Sequence, residues 1–205
     1  MKKIVSFILV LTAVLSVSAG DSAKNLQKAR EKERKEVLKQ MKKENWRVMD
    51  SSKSIETAML EHWLAMEGSG FSEVVGISPK GKNKNQLMTM AMNNAVVVYS
   101  QNAEQTVKSV ATALFKGDDA NVNKELETFF NSFSRALSKE VRGELVKSFI
   151  AYRDAGDGNI EVRAYYVIDE EKANRSFIEA LEYAGEEDPD AQDISQQLIQ
   201  SFREE

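Results

Sequence analysis

Cysteine is absent from the 205 residues, and histidine occurs once, as His62. Without cysteine the chain forgoes disulfides, thiolate catalysis, thiolate metal sites and a lipid carried on an N-terminal Cys. With one histidine, neither a multi-histidine metal site nor a Ser–His–acid triad is expected to be built from one chain. Long apolar runs are missing too. The uncharged stretch from Ile4 to Val17 falls short of the ~20 residues a membrane span needs. These absences weigh against an enzyme, and no catalytic residue, cofactor or metal is expected.

What that stretch does resemble is a leader. Lys2 and Lys3 precede it and Val17-Ser18-Ala19 follows, a basic start, a short apolar segment and small residues before a cut. Residues 1–19 therefore read as a secretory signal peptide, cleaved after Ala19, with an uncleaved anchor as the alternative. Cleavage removes two lysines and takes the formal net charge from −4 to −6. An acidic chain is a poor match for nucleic acid. The mature protein is expected to be soluble outside the cytoplasm, in the periplasm or cell envelope.

Charge is unevenly spread. From Lys24 to Lys43 Lys and Arg outnumber Glu, and Leu26, Ala29, Val37, Leu38 and Met41 make only a sparse apolar stripe. From Glu179 to Glu205 the balance reverses, with Arg203 the one basic residue. Such runs read as solvated helical arms, or as arm and tail attracting each other within or between protomers. The divisions expected are a charged arm over 20–45, one domain over 46–184 and an acidic helix or tail over 185–205.

Between the arms the periodicity is regular. "SIETAMLEHWLAMEG" reads as a helix with Ile55, Met59, His62, Trp63 and Met66 on one face, stopped by Gly68. "GFSEVVGIS" reads as a strand. A long helix follows from about Asn83 to Lys116, its face drawn through Met88, Met92, Val96, Tyr99, Ala103, Val107, Val110 and Leu114. After a break at Gly117-Asp118, Val122, Leu126, Phe129, Phe133, Leu137 and Val141 mark a second helix. Period two then takes over, with Val146, Ile150 and Tyr152 on one strand, and Ile160, Val162, Ala164, Tyr166 and Ile168 alternating on the next. "DEEKANRSFIEALEYAG" is a helix capped by Asp169 and ended by Gly185, and Asp188-Pro189 opens a short last one. The class is α+β, a small, mostly antiparallel sheet of one strand plus a β-hairpin, covered on one face by long amphipathic helices.

Chemistry-bearing clusters are few. Asp154, Asp157 and Asn159 crowd the "GDGN" segment, but no frame there places Gly sixth as an EF-hand loop requires. Asp-Gly between two strands is a hairpin turn. Met88, Met90 and Met92 suggest soft copper ligands, yet Met90 points away from the other two on a helix, which favours core packing. Met59, His62 and Met66 share a face that could in principle ligate copper, but they read as packing beside Trp63. "ISPKGKNKNQ" places Lys80, Lys82 and Lys84 before a helix start, where an anion would be welcome, although the GK[ST] ending of a phosphate loop is missing. It is the best anion candidate.

The order of "VVGIS", a basic Asn-rich loop, "QLMTMAMNNAVVVYSQ", a Phe-rich helix, "LVKSFIAYRD", a Gly turn and "IEVRAYYVID" resembles a family of small bacterial envelope proteins. It is the family named for a twenty-kilodalton Lpp surface lipoprotein, similar in fold to domains of flagellar outer-membrane accessory proteins. The match runs over roughly Phe71 to Ala184. The resemblance implies an envelope role and carries over no catalytic residue. Members are often lipidated on a Cys that this chain lacks.

The expectation is a non-enzymatic exported envelope protein of structural or assembly type, with protein partners or self-association. The alternative is a module that binds a peptide, glycan or anion in a groove beside the hairpin, with Tyr165 as an exposed aromatic there. An edge strand could also take a partner strand. A hydrolase with paired carboxylates has least support, because no two acids sit on otherwise apolar surface.

Overall fold

A computed structural model describes residues 21–67, 70–115, 120–187 and 191–204. The expected leader at 1–19, the Gly68 stop, the Gly117-Asp118 break and the Asp188-Pro189 start lie outside these residues. Two compact units divide the chain, residues 1–40 and 41–205. Helix α1 runs Asp21–Lys43, and its Asn25–Gln40 stretch is exposed at most positions, with Leu26 half uncovered.

The larger unit continues β1 (Arg47–Val48), α2 (Ile55–Ala65), β2 (Phe71–Ile77), α3 (Lys84–Leu114), α4 (Ala120–Glu144), β3 (Val146–Gly156), β4 (Asn159–Asp169), α5 (Glu170–Glu187) and α6 (Gln192–Glu204). The four strands form one antiparallel sheet in the order β1-β3-β4-β2. The α+β class is as expected, with β1 added at the edge. Two residues carry no period, so β1 has no signal in the sequence.

The hairpin turns where Asp-Gly placed it. Gly156, Asp157 and Gly158 all take positive φ (86°, 56° and 71°), and the Asp154 carboxylate accepts the Gly156 amide at 2.7 Å. Asp169 caps α5 by accepting the amides of Glu171 and Lys172 at 3.0 and 3.2 Å. Ser54 does the same for α2 at Thr57.

Alternation on β4 sorts the core. Val162, Ala164, Tyr166 and Ile168 face α3, α4 and α5, joined by Phe129, Phe133, Leu137 and Val141 of α4 and by Ala173, Ala180, Leu181 and Ala184 of α5. On α3 the expected face holds in part, since Val96 and Val107 are buried, but it is turned toward the helix start. Leu87, Ala91 and Ala95 point inward, while Met88, Met92 and Tyr99 pack at the margin and Leu114 is exposed. Gly76 explains the turn. A Cβ there would sit 1.8 Å from the Ala91 carbonyl oxygen, so the α3 backbone rests on the β2 backbone and only small residues fit between.

Two further differences concern the C-terminal end. Gly185 does not stop α5, which continues to Glu187. It gives room for α6, since a Cβ would meet Ser195 Cβ at 2.5 Å. Nor is the acidic segment a solvated arm, because Ile194, Leu198 and Ile199 of α6 are buried in the same core. Its charge lies on the outer face of an amphipathic helix.

Gly76→Ala is expected to lower stability by about 3 kcal/mol, the upper end of overpacking costs, because backbone cannot yield as a side chain can. Urea unfolding of the two proteins measures it.

Candidate functional site

The sheet has a second covered face, which the sequence did not suggest. Residues of opposite parity, Glu73 of β2, Phe149 and Ala151 of β3 and Tyr165 of β4, lie under α2 and the segment Met41–Trp46. Ile55, Ala58, Met59 and Trp63 seal this layer with Met41 and Trp46. Within it lies a group of polar and aromatic side chains in mutual contact.

His62 is its centre and is wholly buried. Its Nε2 lies 2.7 Å from Glu73 Oε1, and its ring meets Phe149 and Tyr165 edge-on at 5.9 and 5.6 Å. Among the described residues, Nδ1 has no hydrogen-bond partner. A carboxylate accepts, so Nε2 donates to Glu73, and Nδ1 is left against rings. Phe149 and Tyr165 stack at 4.4 Å with planes 7° apart. The Tyr165 hydroxyl donates to Met41 Sδ at 3.6 Å.

A second knot adjoins. The Trp46 ring has the Arg163 guanidinium at 4.6 Å and that of Arg153 at 5.1 Å. Arg153 divides its ends between Glu44 at 2.5 Å and Glu161 at 2.8 Å, and Trp46 Nε1 donates to Glu44 at 2.9 Å. Both carboxylates pair with Arg153, while Arg163 lies over the indole and its Nε has no hydrogen-bond partner among the described residues. Burial pushes the Tyr165 hydroxyl up to about 12, against the opposing pull of the Arg163 charge beside it.

What can this arrangement do? One histidine would suffice for a Ser–His–acid triad, so scarcity alone does not settle that question. In the geometry, Nε2 holds Glu73, and among the described residues no hydroxyl meets Nδ1. Tyr165, expected as an exposed aromatic, is 4% exposed and belongs to this interior. Its alternation was read correctly, but α2 covers the face it points to. Among the described residues, no group of three His, Asp or Glu is set to hold a metal. His62 pairs with Glu73, while Met59 is buried and Met66 half-buried.

The lysine loop is built differently from the anion cradle expected. Gly81 exchanges both backbone bonds with Ile160 at 3.0 and 2.8 Å, extending the sheet past β2. Asn83 accepts the Gln86 amide at 3.1 Å and so caps α3 itself, and Lys84 pairs with Asp50. Lys80 and Lys82 are exposed and would face an anion without the third lysine. Two open grooves, of about 470 and 520 Å³, lie between α5 and α6 and between α4 and α5, away from the hairpin. Both carry Glu182 and Glu186. No described helix is long and apolar enough to cross a membrane.

Sequence reasoning found His62 and missed Glu73. The signal was available, since a charged residue inside the apolar run "FSEVVGIS" needs a partner on its own face. His62→Ala is expected to cost about 2–4 kcal/mol by opening a cavity beside Phe149 and Tyr165. Glu73→Gln keeps a neutral hydrogen bond and is expected to cost about 1 kcal/mol. Thermal and urea unfolding of both variants test this order.

Tyr165 sets an alkaline limit. The unfolded chain ionises this hydroxyl near its usual value of 10.0 and the folded chain near 12. Its contribution is therefore intact below pH 10 and is lost as pH rises toward 12, on the order of 2–3 kcal/mol. Stability measured from pH 9 to 12 should fall less steeply in Tyr165→Phe than in the parent.

Compared with models of known protein families, with curated proteins and with solved structures, the chain matches none.

Proposed function

We propose that the chain is a non-enzymatic exported protein of the cell envelope, structural or assembly in type, working through protein partners or through copies of itself. One observation carries this reading. The groups best suited to chemistry, His62, Glu73, Tyr165 and Arg153, bind secondary-structure elements to one another, and none of them lines either of the two grooves. The basic helix α1 presents its charged side chains over Asn25–Gln40 and is suited to meet an acidic partner. Export rests on the leader-like start, from Lys2 to Ala19. The resemblance read from the sequence over Phe71 to Ala184 suggests the same setting.

Light scattering after size exclusion, at low and high salt, tests the reading on the mature chain from Gly20. The expected result is a discrete oligomer, with any part held through the charged arm dissociating as salt screens it. A monomer under every condition removes self-association as the role. Terminal sequencing of the exported protein is expected to begin at Gly20.

A further inference from the structure

The two edges of the sheet differ. β1 closes one side with two residues, a length that offers little to a foreign strand. β2 closes the other with seven and contains no proline, lysine or arginine. Its free side can be assigned by parity. Ser78 donates to Val162 at 2.9 Å and Glu170 donates to Gly70 at 2.8 Å, so even-numbered peptide groups face β4. Odd-numbered ones face outward, and the Ile77 amide confirms it by donating to Asn94 Oδ1 of α3 at 2.8 Å. Among the described residues, nothing meets the outward amides of Phe71, Glu73 and Val75.

The side chains along this edge are apolar where they are uncovered. Phe71 is 43% exposed and Ile77 45%. On α3, Met90 and Val97 lie one turn to either side of Asn94 and are exposed as well. The strand's one charge, Glu73, is engaged by His62.

We propose that the open edge of β2 pairs with the same strand of a second copy, antiparallel about a two-fold axis at Val74, joining two four-stranded sheets into one. The inference rests on the assembly reading and names its surface. The strand's own order selects this occupant. About Val74, Phe71 falls opposite the second copy's Ile77, Ser72 opposite Gly76, and Glu73 opposite Val75. Both exposed apolar ends are covered, and no like charges oppose each other. The outward amides and carbonyls of Glu73 and Val75 then exchange bonds across the axis. The Ile77 amide keeps Asn94.

Val75→Pro tests this in the full chain. Its amide faces outward, and Val74 before it is already extended, so proline fits the fold and removes only an intermolecular donor. Phe71→Lys, at a half-exposed site, is the second variant. Light scattering over a concentration series in high salt is the readout, with circular dichroism to check folding. The expected result is a dimer in the parent that salt does not dissociate, and monomers for both variants with unchanged spectra. If folded Phe71→Lys stays dimeric, the edge is not the interface and the inference fails, while assembly through another surface stands. If the parent oligomer dissociates in salt and the variants behave like it at low salt, the edge again fails and the charged arm remains. A parent that is monomeric throughout overturns both.

Discussion

Helix α3 lies on β2 with no side chain between the two backbones at Gly76, and most of the larger unit is arranged around that contact. The missing Cβ lets the Ala91 carbonyl come to the strand, and Ala95 follows one turn on. Small residues therefore occupy the centre of the interface, and the larger Met88, Met92 and Tyr99 move to its margin. The same approach brings Asn94 within reach of the Ile77 amide. On the other flank of α3, Asn93 accepts from Arg142 at 3.0 Å and Ser100 accepts from Ser138 at 2.9 Å, which fixes α4 alongside. The four-residue row of Phe129, Phe133, Leu137 and Val141 then fills the space beneath.

The two faces of the sheet are held by different physics. Toward α3, α4 and α5 the contacts are almost wholly apolar, and stabilisation scales with area removed from water. Toward α2 a short helix covers a layer in which a histidine, a tyrosine and two arginines must be satisfied. Burying such groups costs more than it returns unless each finds a partner. Here Glu73, Glu44, Glu161, Met41 Sδ and the Trp46 ring supply most of them, while among the described residues His62 Nδ1 and Arg163 Nε have no hydrogen-bond partner. Exposed pairs such as Lys53–Glu61 add little by comparison. A polar layer of this kind does more to fix which helix lies where than to raise stability.

Much of this was legible in the sequence, and the failures have identifiable causes. The faces of α4 and α5 and the alternation of β4 were readable because large apolar residues mark them at a strict period. On α3 the same habit misled in part: Val96 and Val107 are buried, but Met88, Met92 and Tyr99 trace the margin of a contact whose centre is alanine. Gly185 looked like a helix stop because glycine serves both there and where another helix comes close. Tyr165 was placed on the correct side of its strand, but exposure depends on whether another element covers that side, and a two-residue strand and a short α2 give little warning of it. His62 could be read as a core residue from its apolar neighbours. Its partner lies eleven positions away on another element, and the lysine loop's links to Ile160 and Asp50 are just as non-local.

The order of the strands has a consequence for how the chain reaches this state. β3 and β4 are neighbours in sequence and close through a turn of a few residues. β2 joins the same sheet across both long helices, with Ser72 and Glu170 separated by 98 positions. Entropy lost in closing so large a loop precedes any return from the contacts it makes, which slows that pairing relative to the hairpin. Until α3 and α4 have docked, β4 has a free flank along its β2 side. The strand that finishes the sheet is thus the one whose own outer side stays open, and both edges are unguarded over the same interval of folding.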